Sequence, residues 1–294
     1  MNESKKIIYS VLGLLIGSLM WGASFYQIKE AVDYVQPLPF VAIRMGGAAL
    51  VLAAVALFLK KDLLSNLRTG VTLGIVLSVI MISQTVGLKY TSASNSGFIT
   101  GMFVVFVPVF SFFLFKRKSS FIKIIALLVN VFGLWILTGG LNRLNIGDVL
   151  TIVTAIFSGV HIVYISEKTK DNKIDLLVLC FQQLFIAGLT ALIISLFAGY
   201  PILSGVKGNI VNIGYIILFP TVASFLLQLH TQKHLSTVRS ALILTTEPIF
   251  AAVFAWTFGG EKLIPVAALG GFIMVAGMII SEVEINKYIA KSLK

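Results

Sequence analysis

Apolar residues run in long unbroken stretches along this chain, divided by short polar joins, with no strict alternation of the kind a barrel strand would need. A helix requires about 20 apolar residues to cross ~30 Å of hydrocarbon. Ten segments reach or approach that length: Ile7–Ile28, Pro37–Leu59, Gly70–Leu88, Ser96–Phe115, Phe121–Thr138, Gly147–Ser166, Leu176–Ala198, Asn209–His230, Ser236–Phe258 and Leu263–Ser281. Helices are expected because each satisfies its own backbone hydrogen bonds, which lipid cannot do. The pattern predicts an all-α integral membrane protein of ten transmembrane helices. With nine further spans behind it, the first is expected to be a retained helix and not a signal peptide.

Composition narrows the classes further. Of 294 residues, 57% are hydrophobic and 12% charged, with a mean hydropathy of +0.98. Soluble domains carry about 25% charged residues, so a water-soluble fold is excluded, and disorder with it. The net charge of +11 changes meaning once the cations are placed. Lys5, Lys6, Lys60, Lys61, Arg68, Lys116, Arg117, Lys118, Lys123, Lys168, Lys170 and Lys173 cluster at one set of joins. The alternate joins hold only Lys29, Lys89, Arg143, Lys207 and Lys262. Positive residues stay inside, which puts both termini in the cytoplasm and leaves no need for a nucleic-acid partner; an anionic leaflet accounts for the rest.

The chain also contains a candidate repeat. Laying Ser92 on Ser236 brings Ser96 onto Ser240, Phe110 onto Phe254, Gly133 onto Gly277 and Ile136 onto Ile280. Two halves, residues 1–140 and 141–294, would each hold five spans. An odd number inverts the second half relative to the first, a plan recurrent in secondary transporters with a substrate site near the midplane.

Ionisable groups inside a bilayer cost roughly 2.5–3.5 kcal/mol or more, so the few present are pointers to function. Glu247 precedes Pro248 within span nine, and the proline is expected to kink the helix and free the carbonyl of Leu244. The carboxylate could bind a proton or a cationic substrate group, or close the kink structurally. Arg44, in span two, could hold a carboxylate bidentately, but a structural role, snorkelling outward or pairing with Asp33 or Glu30, is the preferred expectation. His161 ends a one-faced stripe with Thr151, Thr154 and Ser158, and span eight repeats it with Thr221, Ser224, Gln228 and Thr231. Converging stripes suggest a cavity, with Trp21, Phe25, Tyr26, Phe157 and Tyr164 as aromatic walls and Gln84 and Asn95 as neutral polar contacts. Pro108 and Pro248 occupy near-equivalent places in spans four and nine, which are therefore expected to do the gating.

Several motifs together resemble one family. Trp21-Gly22-Ala23-Ser24-Phe25, Arg44, the join Gly87-Leu88-Lys89-Tyr90-Thr91-Ser92-Ala93-Ser94-Asn95-Ser96-Gly97, Glu247-Pro248 and Gly260-Glu261 are similar to signatures of the EamA family in the drug/metabolite transporter superfamily. The resemblance implies a multi-pass carrier of the bacterial inner (cytoplasmic) membrane, often an exporter of amino acids or other small metabolites. Departures lie at Lys116-Arg117-Lys118, in place of a glycine-glutamate signature, and in span six, which lacks a tryptophan.

Other chemistry finds little support. There is no Walker loop, and the one cysteine, Cys180, rules out an internal disulfide. His161, His230 and His234 are too scattered for a metal site, so no metal or cofactor is expected. The expectation is a non-enzymatic secondary transporter, moving a small metabolite by alternating access, outward, with proton coupling in prospect. Substrate contacts would come from Trp21, Ser24, Gln84, Asn95, His161 and Glu247. The alternative is a membrane-embedded enzyme acting on a lipid-linked substrate, which would need a clustered nucleophile and base.

Overall fold

A computed structural model describes residues 3–116, 121–138, 144–170, 174–235 and 237–292. Its regular elements are helical throughout: α1 (Glu3–Tyr34), α2 (Pro37–Phe58), α3 (Leu67–Leu88), α4 (Ala93–Gly101), α5 (Phe103–Phe115), α6 (Phe121–Thr138), α7 (Ile146–Lys168), α8 (Leu176–Phe197), α9 (Ile210–Ile216), α10 (Ser224–Gln232), α11 (Thr237–Leu244), α12 (Glu247–Thr257) and α13 (Pro265–Ser292). A π-helical segment, Ile217–Ala223, joins α9 to α10.

Local chemistry fixes the ends. Pro37 opens α2, where its missing N–H costs nothing. Asn145 and Asp148 form a reciprocal capping box at the start of α7. The Asp175 carboxylate accepts from the backbone N–H groups of Leu177 and Val178 at the start of α8.

Among the described residues, seven helices are long and apolar enough to cross a membrane, counting α4–α5 as one and the run Lys207–Gln232 as one. Of the ten spans expected from hydropathy, span nine is divided at Thr245–Thr246 into α11 and α12, and spans five and ten, on α6 and α13, fall partly outside the described residues. Span four is likewise divided at Met102, where tight i to i+3 bonds (Met102 N to Ile99 O, 3.1 Å; Val105 N to Met102 O, 2.9 Å) replace α-helical ones.

Side-chain contacts sort the joins into two groups at opposite faces. At the face carrying the start of α1, Lys61 pairs with Asp175 at 2.8 Å. Gln182 Nε2 donates to the carbonyls of Leu63 and Ser65, both at 2.8 Å. At the other face, Lys29 Nζ donates to Leu88 O (2.7 Å) and Thr91 Oγ1 to Asp148 Oδ1 (2.6 Å). There too Glu261, from the join after α12, accepts from the backbone N–H groups of Ala93 and Ser94 at the start of α4.

Between these faces α1 packs on α10 and α12, α2 on α8, α3 on α7 and α8, α4 on α7 and α12, and α5 on α7. Spans five and ten, the least polar outside their ends, are expected to pack peripherally, and the pair α6 and α13 packs chiefly on itself. The further expectation, that Asn130 stays off the cavity axis, concerns a side chain outside the described residues, as does the boundary between the proposed halves near residue 140.

Candidate functional site

The polar interior converges on one central cavity of about 590 Å³, including its mouth. Its walls come from both halves of the chain: Trp21, Ser24 and Phe25 on α1, Arg44 on α2, Gln84 on α3, Thr100 on α4, Ser158 and His161 on α7, Phe225 and Gln228 on α10, and Glu247 at the start of α12. Leu77, Ile80, Met81, Phe103, Ile162 and Leu244 supply the apolar remainder.

Arg44 is the first surprise. It is 2% exposed, and its Nε donates to Thr221 Oγ1 at 2.8 Å. The expected pairing with Asp33 or Glu30 is absent; among the described residues no carboxylate lies within ion-pair distance of Arg44. Thr221 is aimed by the π segment: Pro220 removes a backbone donor there, and Thr221 Oγ1 donates to Ile216 O, five residues back, at 2.8 Å. Such π turns recur at functional sites. A guanidinium has five N–H donors, so most of this one's capacity remains for a guest in the cavity.

Glu247 is placed differently from its sequence reading. Pro248 does not kink a continuous helix: the chain breaks at Thr245–Thr246, and Glu247 and Pro248 start α12. Proline is tolerated in a first turn, and a carboxylate is favoured there by the helix dipole. Glu247 is 8% exposed, and no hydrogen bond or ion pair joins its carboxylate to another described residue. Pro108 likewise sits near a division and not at it. It is buried within α5, six residues beyond the division at Met102.

The neutral groups are tied down. His161 Nε2 donates to Gln183 Oε1 at 2.9 Å, Gln84 Nε2 to Thr100 Oγ1 at 3.4 Å, and Ser24 Oγ to Trp21 O at 2.7 Å. Trp21 meets Phe225 edge-on at 5.2 Å. The stripe on α7 divides by role: Ser158 and His161 face the cavity, whereas Thr154 bonds Ser83 at 2.7 Å and Thr151 lies 3.4 Å from Ser96. Tyr26, Phe157 and Tyr164 are not cavity walls; Tyr26 stacks on Phe254 with centroids 6.5 Å apart.

Asn95 falls outside this cavity altogether. It lines a second one of about 800 Å³, with Ser92, Ser94, Trp256, Glu261 and Lys262, at the face opposite the start of α1. The cause is the capped start of α4. Ser92 Oγ accepts from Asn95 N at 3.1 Å, so Asn95 sits in the first turn, well short of the cavity level reached by Thr100. Trp21, Ser24, Gln84, His161 and Glu247 are thus brought together, Asn95 is not, and Arg44, Thr100 and Gln228 join them.

The profile of the EamA-like transporter family matches twice, over residues 8–139 and 145–282. The chain belongs to the EamA-like transporter family. An uncharacterized transporter of Archaeoglobus fulgidus is 30% identical to this EamA-like protein over 96% of its length and 89% of the relative's. The uncharacterized transporter YoaV of Bacillus subtilis is 22% identical, covering 94% and 98%. The uncharacterized inner membrane transporter YedA of Escherichia coli is also 22% identical, over 92% and 89%. A solved crystal structure superimposes with a TM-score of 0.72 over 98% of this chain and 99% of that one, at 12% identity, a likeness of fold. This EamA-like protein is a multi-pass membrane transporter.

Proposed function

We propose that this transporter carries a small zwitterionic or amphipathic metabolite, such as an amino acid, by alternating access between two inverted five-helix copies, and that it works as an exporter in a bacterial cytoplasmic membrane. The observation that carries the reading is Arg44 and Glu247 in one cavity, of opposite charge, neither ion-paired with another described residue. A substrate carboxylate suits the free donors of Arg44, and an ammonium or a proton suits Glu247. Trp21, Phe25, Phe103 and Phe225 offer an apolar side chain its surroundings.

The inverted arrangement is supported by the double profile match and by the pairing of elements. The contacts of α1 with α12 and of α4 and α5 with α7 exchange if the copies are exchanged, as do those of α1 with α10 and of α7 with α3. The divisions at Met102 and at Thr245–Thr246 likewise fall at matching places in the two copies. The sorting of joins to alternate faces favours ten crossings and, with the cation bias, cytoplasmic termini. Spans four and nine, both divided beside the cavity, are the parts suited to gating.

Counterflow in proteoliposomes tests the reading. A carrier exchanges labelled for unlabelled amino acid without net driving force, and screening the common amino acids identifies the cargo. If Glu247 couples protons, Glu247→Gln abolishes pH-driven flux at unchanged abundance and preserves exchange. Full pH-driven flux in the variant rules that role out.

A further inference from the structure

One helical turn from the cavity, towards the face carrying the start of α1, four helices each present a buried polar side chain. Ser18 lies below Trp21 on α1, Ser166 below Ile162 on α7, Gln232 below Gln228 on α10 and Ser240 below Leu244 on α11; the upper member of every pair lines the cavity. All four are at most 1% exposed. The hydroxyls of Ser18, Ser166 and Ser240 and both amide atoms of Gln232 find no partner among the described residues.

This differs from how buried serines elsewhere in the chain are treated. Ser78 donates to Gly74 O, Ser83 to Val79 O and Ser195 to Ala191 O, each at 2.7 Å, the usual way a helix satisfies a hydroxyl. Buried polar groups are nearly always paired, and each exception calls for a reason. Four of the residues left unpaired share one level, beside Leu14, Leu235, Ala241 and Leu244 of one buried apolar cluster, here called the seal; Gln27 Oε1, Gln182 Oε1, Gln183 Nε2 and Gln228 Oε1 are unpaired elsewhere. The seal includes α11, a helix of only 8 residues that ends at the Thr245–Thr246 division.

We propose that Ser18, Ser166, Gln232 and Ser240 line the leg of the translocation pathway between the cavity and the cytoplasm, sealed in this structure and hydrated when α11 swings away from α1. Water then supplies the partners that the sealed state withholds. Substrate passing between cavity and cytoplasm meets hydroxyl and amide groups on four sides, which can replace its hydration without holding it by charge. The inference rests on the carrier reading above, including the cytoplasmic placement of the termini.

The test uses single cysteines at positions 18, 166 and 240 in a Cys180→Ala background, Cys180 being the one native cysteine and itself buried. Ser195→Cys is the control, equally buried (0% exposed) on α8 away from the seal. A negatively charged methanethiosulfonate is added to inside-out and to right-side-out vesicles. Because only a thiol reached by water ionises and reacts, Ser18→Cys, Ser166→Cys and Ser240→Cys should be labelled from the cytoplasmic side about tenfold faster than Ser195→Cys. Labelling at the control rate, or faster from the outer side, overturns the proposal.

Should a cysteine variant fail to insert, hydrogen–deuterium exchange of the native chain in liposomes serves instead. Exchange faster across 228–244 than across 180–195 is expected, and equal protection overturns it. Amino-acid counterflow separates the two readings. Counterflow without labelling refutes this pathway and leaves the carrier; labelling without counterflow keeps the pathway and refutes the cargo.

Discussion

Arg44 sits where a guanidinium can be held without being used up: Thr221 takes its Nε, and the remaining donors have no carboxylate partner among the described residues. A hydrogen bond to a charged group contributes about 1.5–3 kcal/mol. Arg44→Lys, which loses the planar fork, should therefore raise the half-saturation of a carboxylate-bearing substrate roughly tenfold to a hundredfold by that same margin. Thr221→Val, which removes only the support, should raise it less; concentration-dependent counterflow measures both. At the surface, Asp175 is held below the usual carboxylate range. Partial burial opposes that shift and is outweighed by the hydrogen bond and charge of Lys61 and by the N–H groups of Val178 and Leu177. A depressed value means stability that is present above the unfolded pKa of about 3.9 and lost as the pH falls through the folded one. Asp175→Asn, which keeps a capping oxygen, should cost about 0.2–1 kcal/mol near neutrality, with the gap closing in acid; thermal unfolding in detergent across pH measures it. Residue chemistry was legible in sequence where it was costly. Trp21, His161 and Glu247 stand out in an apolar run, and all three reach the cavity. Arg44 stood out equally, but its freedom from Asp33 and Glu30 depends on a turn of span eight that no spacing announces.

At the scale of elements, the glycines of α1 and α4 explain how α12 approaches so closely. A methyl group on Gly22 would come within 2.8 Å of Glu247 O, and one on Gly97 would strike the side chain of Ala251. The Trp21-Gly22 pair thereby sets the depth of Glu247 as well as lining the cavity. Glu261 fastens the same assembly from the end, a carboxylate from one half seated on the first turn of a helix from the other. Replacing a capping carboxylate costs about 0.5–2 kcal/mol, so Glu261→Ala should loosen this closure. Asn95→Cys, in the cavity behind it, should then react faster with an impermeant thiol reagent added outside intact cells; an unchanged rate would remove Glu261 from that role. Hydropathy located these elements well and their interruptions poorly. Proline was the visible breaker at 108 and 248, yet the chain divides at Met102 and Thr245–Thr246. Within α5, Pro108 removes one backbone donor without ending the helix.

For the molecule as a whole, the run of long apolar helices and the peripheral α6–α13 pair follow what the apolar pattern implied, and the family match follows the motifs. The level at which the halves meet did not, because it depends on contacts between residues far apart in sequence. One departure from equivalence has a functional cost. The run Lys207–Gln232 contains Pro220 and a π segment, while its counterpart, α3, runs unbroken from Leu67 to Leu88. Perfectly matched halves would rest equally facing either compartment. Under the alternating access proposed above, an irregular turn on one side only should favour one face for the empty carrier, and loading from the two sides should show unequal half-saturation although the gradient alone sets net direction. Pro220→Ala, which restores the missing N–H, should bring the two values closer in oriented vesicles. The protein would then have lost its built-in doorstep and become a revolving door.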